Sequence, residues 1–253
     1  MPKTEKLIAI KSKEEIEILE KSGRILASIA EELKDFIKEG IATKEIDKRA
    51  EGLIARYKAT PAFKGYRGFP ACVCVSINQE IVHGIPGSRI FKSGDIASID
   101  IGIVFREYFS DTAFTVGIGE ISRELQKLID VTRESLQRGI AQALVDNHLS
   151  DISFAVQSFV EANQFSVVRD FVGHGIGRML HEEPEVPNFG LPHSGPVLKE
   201  GMVLAIEPMV NMGTWRTKLL SDGWTVVTED GKPSAHFEHT VAITKQGPKI
   251  LTQ

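Results

Sequence analysis

The sequence predicts an α+β fold in which paired helices cover one face of a largely antiparallel sheet. Helical periodicity comes in two adjacent segments before each β-rich block, not as single helices alternating with strands. The β-rich blocks run on Val, Ile, Phe and Thr, punctuated by glycine and proline turns. The two helix-helix-strand blocks start at Ser12 and Ser122, 110 residues apart, which suggests pseudo-two-fold halves even though no residue-level repeat accompanies the order.

The first helix opens at Ser12-Lys13-Glu14-Glu15, which has capping-box spacing. It carries Ile16, Leu19, Leu26, Ile29, Leu33, Phe36 and Ile37 on one face and closes at Gly40. A second starts after Thr43, with Ile46, Ala50, Leu53, Ile54 and Tyr57 on its apolar face, and stops before Thr60-Pro61. Strands are expected from Ala71 to Val82 and from Asp95 to Val116. Helices return at about 122–145 and 150–164, the latter opening at Ser150-Asp151. Further strands are expected at about 167–172, 201–210, 224–228 and 236–244. No linker or low-complexity stretch divides the chain, so residues 1–253 read as a single domain.

Composition narrows the function. The 253 residues carry 30 Lys+Arg against 34 Asp+Glu, a formal charge of −4, with 42% hydrophobic and 25% charged residues. That is ordinary globular composition, with no global basic excess to suggest sequence-specific nucleic-acid binding. The only cysteines, Cys72 and Cys74, are too close in sequence to clip the fold together, which points to a reduced, cytoplasmic protein. Met1 to Lys6 lacks a sustained apolar core, and no run approaches the 18 apolar residues of a membrane span, so neither targeting signal nor membrane association is expected.

Four motifs could carry chemistry. Asp100 lies inside the apolar strand Ile96–Ile103, followed by Ser110-Asp111-Thr112. With Phe105-Arg106 as a two-residue hairpin loop, Asp100 faces Asp111 directly, with Cβ atoms about 4.5–5.5 Å apart. Such a pair repels unless a proton or cation lies between its members. Gly173-His174-Gly175-Ile176-Gly177 has neither dinucleotide spacing nor a following Lys-Ser/Thr, which leaves a phosphate cradle a weak reading; His181 lies seven residues beyond His174. Glu207, before Pro208, and Glu238, in Ala235–Val241, each place an acid in or at the end of an apolar strand, where burial is costly. For Glu238 the bland alternative is an exposed strand face shared with His236 and Thr240. Four carboxylates and one imidazole, without a thiolate, suit two divalent ions such as Mn²⁺, Co²⁺, Fe²⁺ or Zn²⁺, and hence a hydrolase.

These stretches, with Val75-Ser76-Ile77-Asn78, Ile81–Pro86, His181-Glu182-Glu183-Pro184, Ile206–Met209, Asp222–Thr225 and Phe237–Thr240, run in one order over nearly the whole chain. In that order the chain resembles the type I methionine aminopeptidases of pita-bread fold. The resemblance implies removal of N-terminal methionine from nascent proteins whose second residue is small. It implies a dinuclear centre held by Asp100, Asp111, His174, Glu207 and Glu238, with a bridging hydroxide as nucleophile, Glu207 as general base and His181 as oxyanion stabiliser. His83 and His181 would touch substrate, and Tyr66, Phe69, Cys74 and Trp224 would enclose the methionine; taken alone, Trp224 reads as core. Nascent chains would be met through transient ribosome contact, by a monomer.

Two positions depart from many bacterial relatives, Leu180 in place of phenylalanine before the second histidine and Val82 in place of a cysteine, and both bear on pocket shape. Without a long insertion or Cys-rich extension the chain looks like the minimal form, and Pro2 would make its own Met1 removable. The competing readings are an X-Pro aminopeptidase or dipeptidase of the same fold and a non-catalytic binding relative.

Overall fold

The computed structural model describes residues 7–253, so the Met1-Pro2 expectation lies outside the described residues. The chain forms α1 (Lys13–Phe36), α2 (Thr43–Arg56), β1 (Thr60–Pro61), β2 (Val73–Ile77), β3 (Glu80–Val82), β4 (Ile96–Phe105) and β5 (Tyr108–Gly117). The second half repeats the paired helices as α3 (Arg123–Ala141) and α4 (Leu149–Ala162). Then follow β6 (Ser166–Val167), β7 (Gly173–Gly175), β8 (Glu182–Val186), β9 (Val203–Ile206), β10 (Met209–Asn211), β11 (Thr217–Leu219), β12 (Val226–Thr228), β13 (Ser234–His236), β14 (Glu238–Thr244) and β15 (Gly247–Ile250).

The helix starts follow local chemistry. Ser12 caps α1: its hydroxyl accepts from Glu15 N–H, and the Glu15 carboxylate accepts from Ser12 N–H. The helix ends at Phe36, before the expected Gly40. Thr43 proves to be the first residue of α2 and not its cap, because its hydroxyl is taken by the backbone of Gly87. α4 opens one residue before the expected Ser150, with His148 as its N-cap; Asp151 reaches back to accept from His148 N–H, and Ser150 donates to the Ser194 carbonyl.

Nine antiparallel strands make the main sheet, in the order β1-β4-β5-β14-β9-β7-β8, with β2 also on β4 and β15 on β14. Two three-stranded sheets, β13-β10-β6 and β11-β12-β3, complete it. Leu26, Ile29 and Leu33 of α1 and Leu128, Leu136 and Ile140 of α3 are buried with the inner residues of β4, β9 and β14 in one continuous core. Each such side chain contributes roughly 1.5–3 kcal/mol on leaving water. No helix among the described residues is long and apolar enough to cross a membrane.

The central hairpin corrects one expectation. Its turn is Arg106-Glu107, where both residues have positive φ, 49° and 68°; this matches a type I′ turn, whose twist suits the flanking strands. Phe105 therefore pairs with Tyr108, Asp111 faces Gly102, and Asp100 faces Ala113. Moving the turn by one residue changes the register by two, which preserves the face. Asp100 and Asp111 are diagonal neighbours on one side of the sheet, not directly opposed.

Candidate metal centre and substrate pocket

Five predicted ligands come from five strands that are consecutive across the main sheet. Asp100 sits in β4, Asp111 in β5, Glu238 at the start of β14, Glu207 just beyond the end of β9, and His174 in the middle of β7. Cys74, Asp100, Ala113 and Glu238 form one transverse row, since Cys74 faces Asp100, Asp100 faces Ala113, and Ala113 faces Glu238. His239 faces Ile206, so Glu207 follows beside Glu238. The small residues Cys74 and Ala113 on either side of Asp100 leave room around its carboxylate.

The row crosses a seam between the two halves. β5 and β14 pair through only Glu238↔Ala113 and His239↔Thr112. Beyond them threonine hydroxyls bridge the strands: Thr240 accepts from Asp111 N–H (3.1 Å) and donates to the Asp111 carbonyl (2.8 Å), and Thr112 donates to the Glu238 carbonyl (2.8 Å). Threonine hydroxyls thus extend the short ladder between β5 and β14 beside the carboxylates.

Ligand-competent atoms of Asp111, His174 and Glu238 all lie within 4.8 Å of one another, and His174 Nε2 is 3.7 Å from Glu207 Oε1. His174 is neutral: burial pushes it down to about 4, against the opposing pull of the Gly175 carbonyl. Its Nδ1–H donates to that carbonyl at 2.9 Å, which leaves the Nε2 lone pair directed at the acids. Burial raises Asp100, Glu207 and Glu238 well above the usual carboxylate range, and the neighbouring acids add to it. Asp111 is pushed up to about 7, burial outweighing the Thr112 N–H that donates to its carboxylate. Asp100 Oδ1 and Glu238 Oε1 are buried with no hydrogen-bond partner. Unpaired acceptors of this kind are costly, and clustered acids cannot all ionise without cations. Four carboxylates and a neutral imidazole with a free lone pair therefore fit divalent ions. The exposed-strand alternative for Glu238 fails, because His236, Glu238 and Thr240 are all buried.

The glycines flanking His174 serve packing. A Cβ on Gly173 would lie 2.3 Å from the Ala205 carbonyl oxygen, and one on Gly175 2.2 Å from that of Glu183. They let β7 approach its neighbours closely, and because the run is a strand with no helix after it, the phosphate-cradle reading is dropped.

The acids and His174 line part of a cavity of about 180 Å³, whose other walls include Tyr66, Phe69, Cys74 and Trp224. An apolar hole of about 150 Å³ admits a benzene-sized ligand, so this one can take a side chain as large as methionine. Phe69 packs edge-on to Trp224 with centroids 5.1 Å apart, and Trp224 is half-buried in the wall, not in the core. His83 and His181 also face the cavity. His83 has a positive φ of 59°, a strained conformation for a side-chain-bearing residue, and its ring stands edge-on to Phe171 at 5.7 Å. His181 lies 4.3 Å from His174, centroid to centroid, and its Nδ1 is 2.8 Å from the Tyr66 hydroxyl. Both are held below the usual histidine range, foremost by burial. Leu180 and Val82, the two departures, both line the cavity.

Several lining residues escape sequence reading. Phe63 and Phe171 sit in stretches with no motif, and nothing in their spacing marks them. His236, buried with Nε2 3.4 Å from Glu207 Oε2, could have been flagged because it alternates with Glu238.

Comparison with known proteins gives matches over nearly the whole chain. Residues 17–245 match metallopeptidase family M24. The chain is 57% identical over 246 residues to a methionine aminopeptidase of Clostridium perfringens (strain 13 / Type A), covering 97% of this chain and 99% of that one. It is 55% identical over 247 residues to methionine aminopeptidase 1 of Bacillus subtilis (strain 168), covering 98% of this chain and 100% of that one. Among solved structures, the methionine aminopeptidase of Thermotoga maritima superposes with a TM-score of 0.96 at 44% identity, covering 98% of this chain and all of that one.

Proposed function

The chain belongs to metallopeptidase family M24, and from that membership and the row of acids beside a methionine-sized cavity we propose how it acts as a methionine aminopeptidase. The substrate is the N-terminus of a newly made protein whose second residue is small. The observation that carries this reading is the cavity itself, whose walls include both the Phe69, Cys74 and Trp224 side chains and the acids Asp111 and Glu238 with His174. A methionine side chain placed there brings its own backbone to the acids. Sulfur against the Phe69 and Trp224 rings contributes about 0.3–1.5 kcal/mol.

Asp100, Asp111, His174, Glu207 and Glu238 would hold two divalent ions, which when bound supply Lewis-acid polarisation and a water acidified toward pH 7. Asp100 provides negative charge for the substrate α-amine. Glu207, buried and shifted toward protonation, accepts the proton of the attacking water and returns it to the departing amine. In the tautomer with its proton on Nε2, His181 accepts at Nδ1 from the Tyr66 hydroxyl 2.8 Å away and presents the Nε2 proton to the carbonyl oxygen as negative charge develops. His83 packs against the substrate from the Phe171 side. Mn²⁺, Co²⁺, Fe²⁺ and Zn²⁺ all suit the donor set, and availability selects among them. A monomer acting as one catalytic unit in the cytoplasm, in transient contact with the ribosome, completes the proposal.

The test is to strip metal with a chelator, restore each of the four ions separately, and compare Met-Ala-x with x-Pro peptides. Metal-restored release of methionine from the first series is expected. Release only from the x-Pro series would replace this reading with an X-Pro peptidase.

A further inference from the structure

The segment preceding α1 reaches into the turn that carries His181. Lys11 N–H donates to the Gly201 carbonyl at 2.8 Å, and its side chain, only 5% exposed, points inward so that Nζ lies 2.5 Å from Glu182 Oε2. The other Glu182 oxygen, Oε1, accepts from Met179 N–H at 3.1 Å. Gly177 N–H donates to the Met179 carbonyl at 3.2 Å and closes the same turn. Its next residues are Leu180, a cavity wall, and His181. Gly177 leaves the space that the pair fills: a Cβ there would meet Lys11 Cε at 2.5 Å and Glu182 Oε1 at 2.8 Å. Burying a carboxylate as Glu182 is buried, with 8% of its side chain exposed, is costly without a partner. Lys11 is that partner, 171 residues away in sequence.

We infer that Lys11 and Glu182 are a positioning pair for His181, the lysine fixing the carboxylate that closes the turn and so fixing where the imidazole stands over the cavity. The inference rests on the aminopeptidase reading, in which His181 faces the scissile carbonyl. Loss of Lys11 leaves Glu182 buried and uncompensated; the carboxylate then turns toward water and releases Met179 N–H. The five metal ligands lie outside this turn, so metal content is unaffected.

The test is steady-state methionine release by the metal-loaded wild type, Lys11→Met, His181→Ala and the double variant Lys11→Met/His181→Ala, with metal content and melting temperature recorded for each. Removing an oxyanion donor costs about 10²–10³-fold in kcat, and displacing one costs less, so Lys11→Met is expected to lower kcat about tenfold with KM nearly unchanged. In the His181→Ala background the same substitution is expected to add no further loss, because the residue it acts through is gone. An equal loss in both backgrounds, or wild-type kcat in Lys11→Met, overturns the inference. If Lys11→Met does not fold, Lys11→Met/Glu182→Gln takes its place in the cycle, since it removes both charges and keeps an acceptor for Met179 N–H. Failure of that variant to fold also overturns the inference, by making the pair a requirement of the fold. A wild type inactive with every metal sinks the aminopeptidase reading and this inference together; an active wild type with an unaffected Lys11→Met sinks this inference alone.

Discussion

The two halves of the molecule supply the site by different routes. The first half presents Asp100 and Asp111 from one hairpin, β4 and β5, whose ten-residue strands are joined by a two-residue turn. The second half presents His174, Glu207 and Glu238 from three strands that are neighbours in the sheet but far apart in sequence. The side chains differ accordingly: two short aspartates from the middle of a regular ladder, two longer glutamates from positions where a strand begins or ends. The hairpin half is therefore rigid and pre-positioned, whereas the other half places the acid that must move a proton, Glu207, where no ladder constrains it.

Substitutions in the second half should then cost chemistry most. Glu207→Gln keeps shape and removes the proton acceptor; turnover is expected to fall by about 10³-fold or more, within or above the range of a lost general base. Full retained activity would remove Glu207 from its role.

The hairpin half should show instead in metal binding. Saturating two ions at about a thousand times Kd adds about 4 kcal/mol each, on the order of 10 °C or more in Tm for a chain this size. Asp111→Asn should lose at least half of that metal-dependent rise in a thermal scan. An undiminished rise would place the ions elsewhere.

Acidity distinguishes the site from the rest of the surface. Asp100, Asp111, Glu207 and Glu238 are raised in the folded chain, so the fold retains protons that the unfolded chain releases near pH 4. Above about pH 7, where the histidines of the unfolded chain are already neutral, stability of the metal-free protein should fall as pH rises through the raised values; below that, His174, His181 and His236, held neutral in the fold, oppose the trend. Melting scans from pH 7 to 8 should slope downward without metal and stay nearly level with it. A level metal-free profile would mean the acids are not mutually buried.

Smaller effects belong to the pocket and the outer helices. Leu180→Phe narrows the cavity and should change the preference for methionine over leucine at the first position by about tenfold or less, read as kcat/KM ratios. Arg49→Ala removes a half-exposed partner of Glu32 and should shift Tm by no more than about 2–4 °C, as expected of a surface pair worth under about 1 kcal/mol.

Legibility in the sequence follows the same division. Helix pairing and the Ser12 cap were readable because their determinants lie within a few residues of each other. The hairpin's face was readable because alternation survives an even slip, although its turn was placed one residue early: the left-handed pair Arg106-Glu107 contains no glycine or asparagine to announce it. His174, Glu207 and Glu238 could be suspected one by one, from acids and glycines in apolar company, but no local signal says that β7, β9 and β14 are adjacent. Phe63 carries no readable mark because its role arises only from the fold; His236 shares its strand face with Glu238, but its approach to Glu207 arises only from those long-range pairings. Lys11 lies ahead of a helix with no motif around it, and only the fold brings it to Glu182.

The central claim is that one row of side chains, drawn from both halves, holds two divalent ions at the seam. Anomalous diffraction from Mn²⁺-loaded crystals tests it most directly. Two peaks are predicted, about 3.5–4 Å apart as in other two-metal sites, one bounded by Asp100 and Asp111 and the other by His174 and Glu207, with Glu238 beside both. A single peak held by one half alone, or none at the seam, would contradict it.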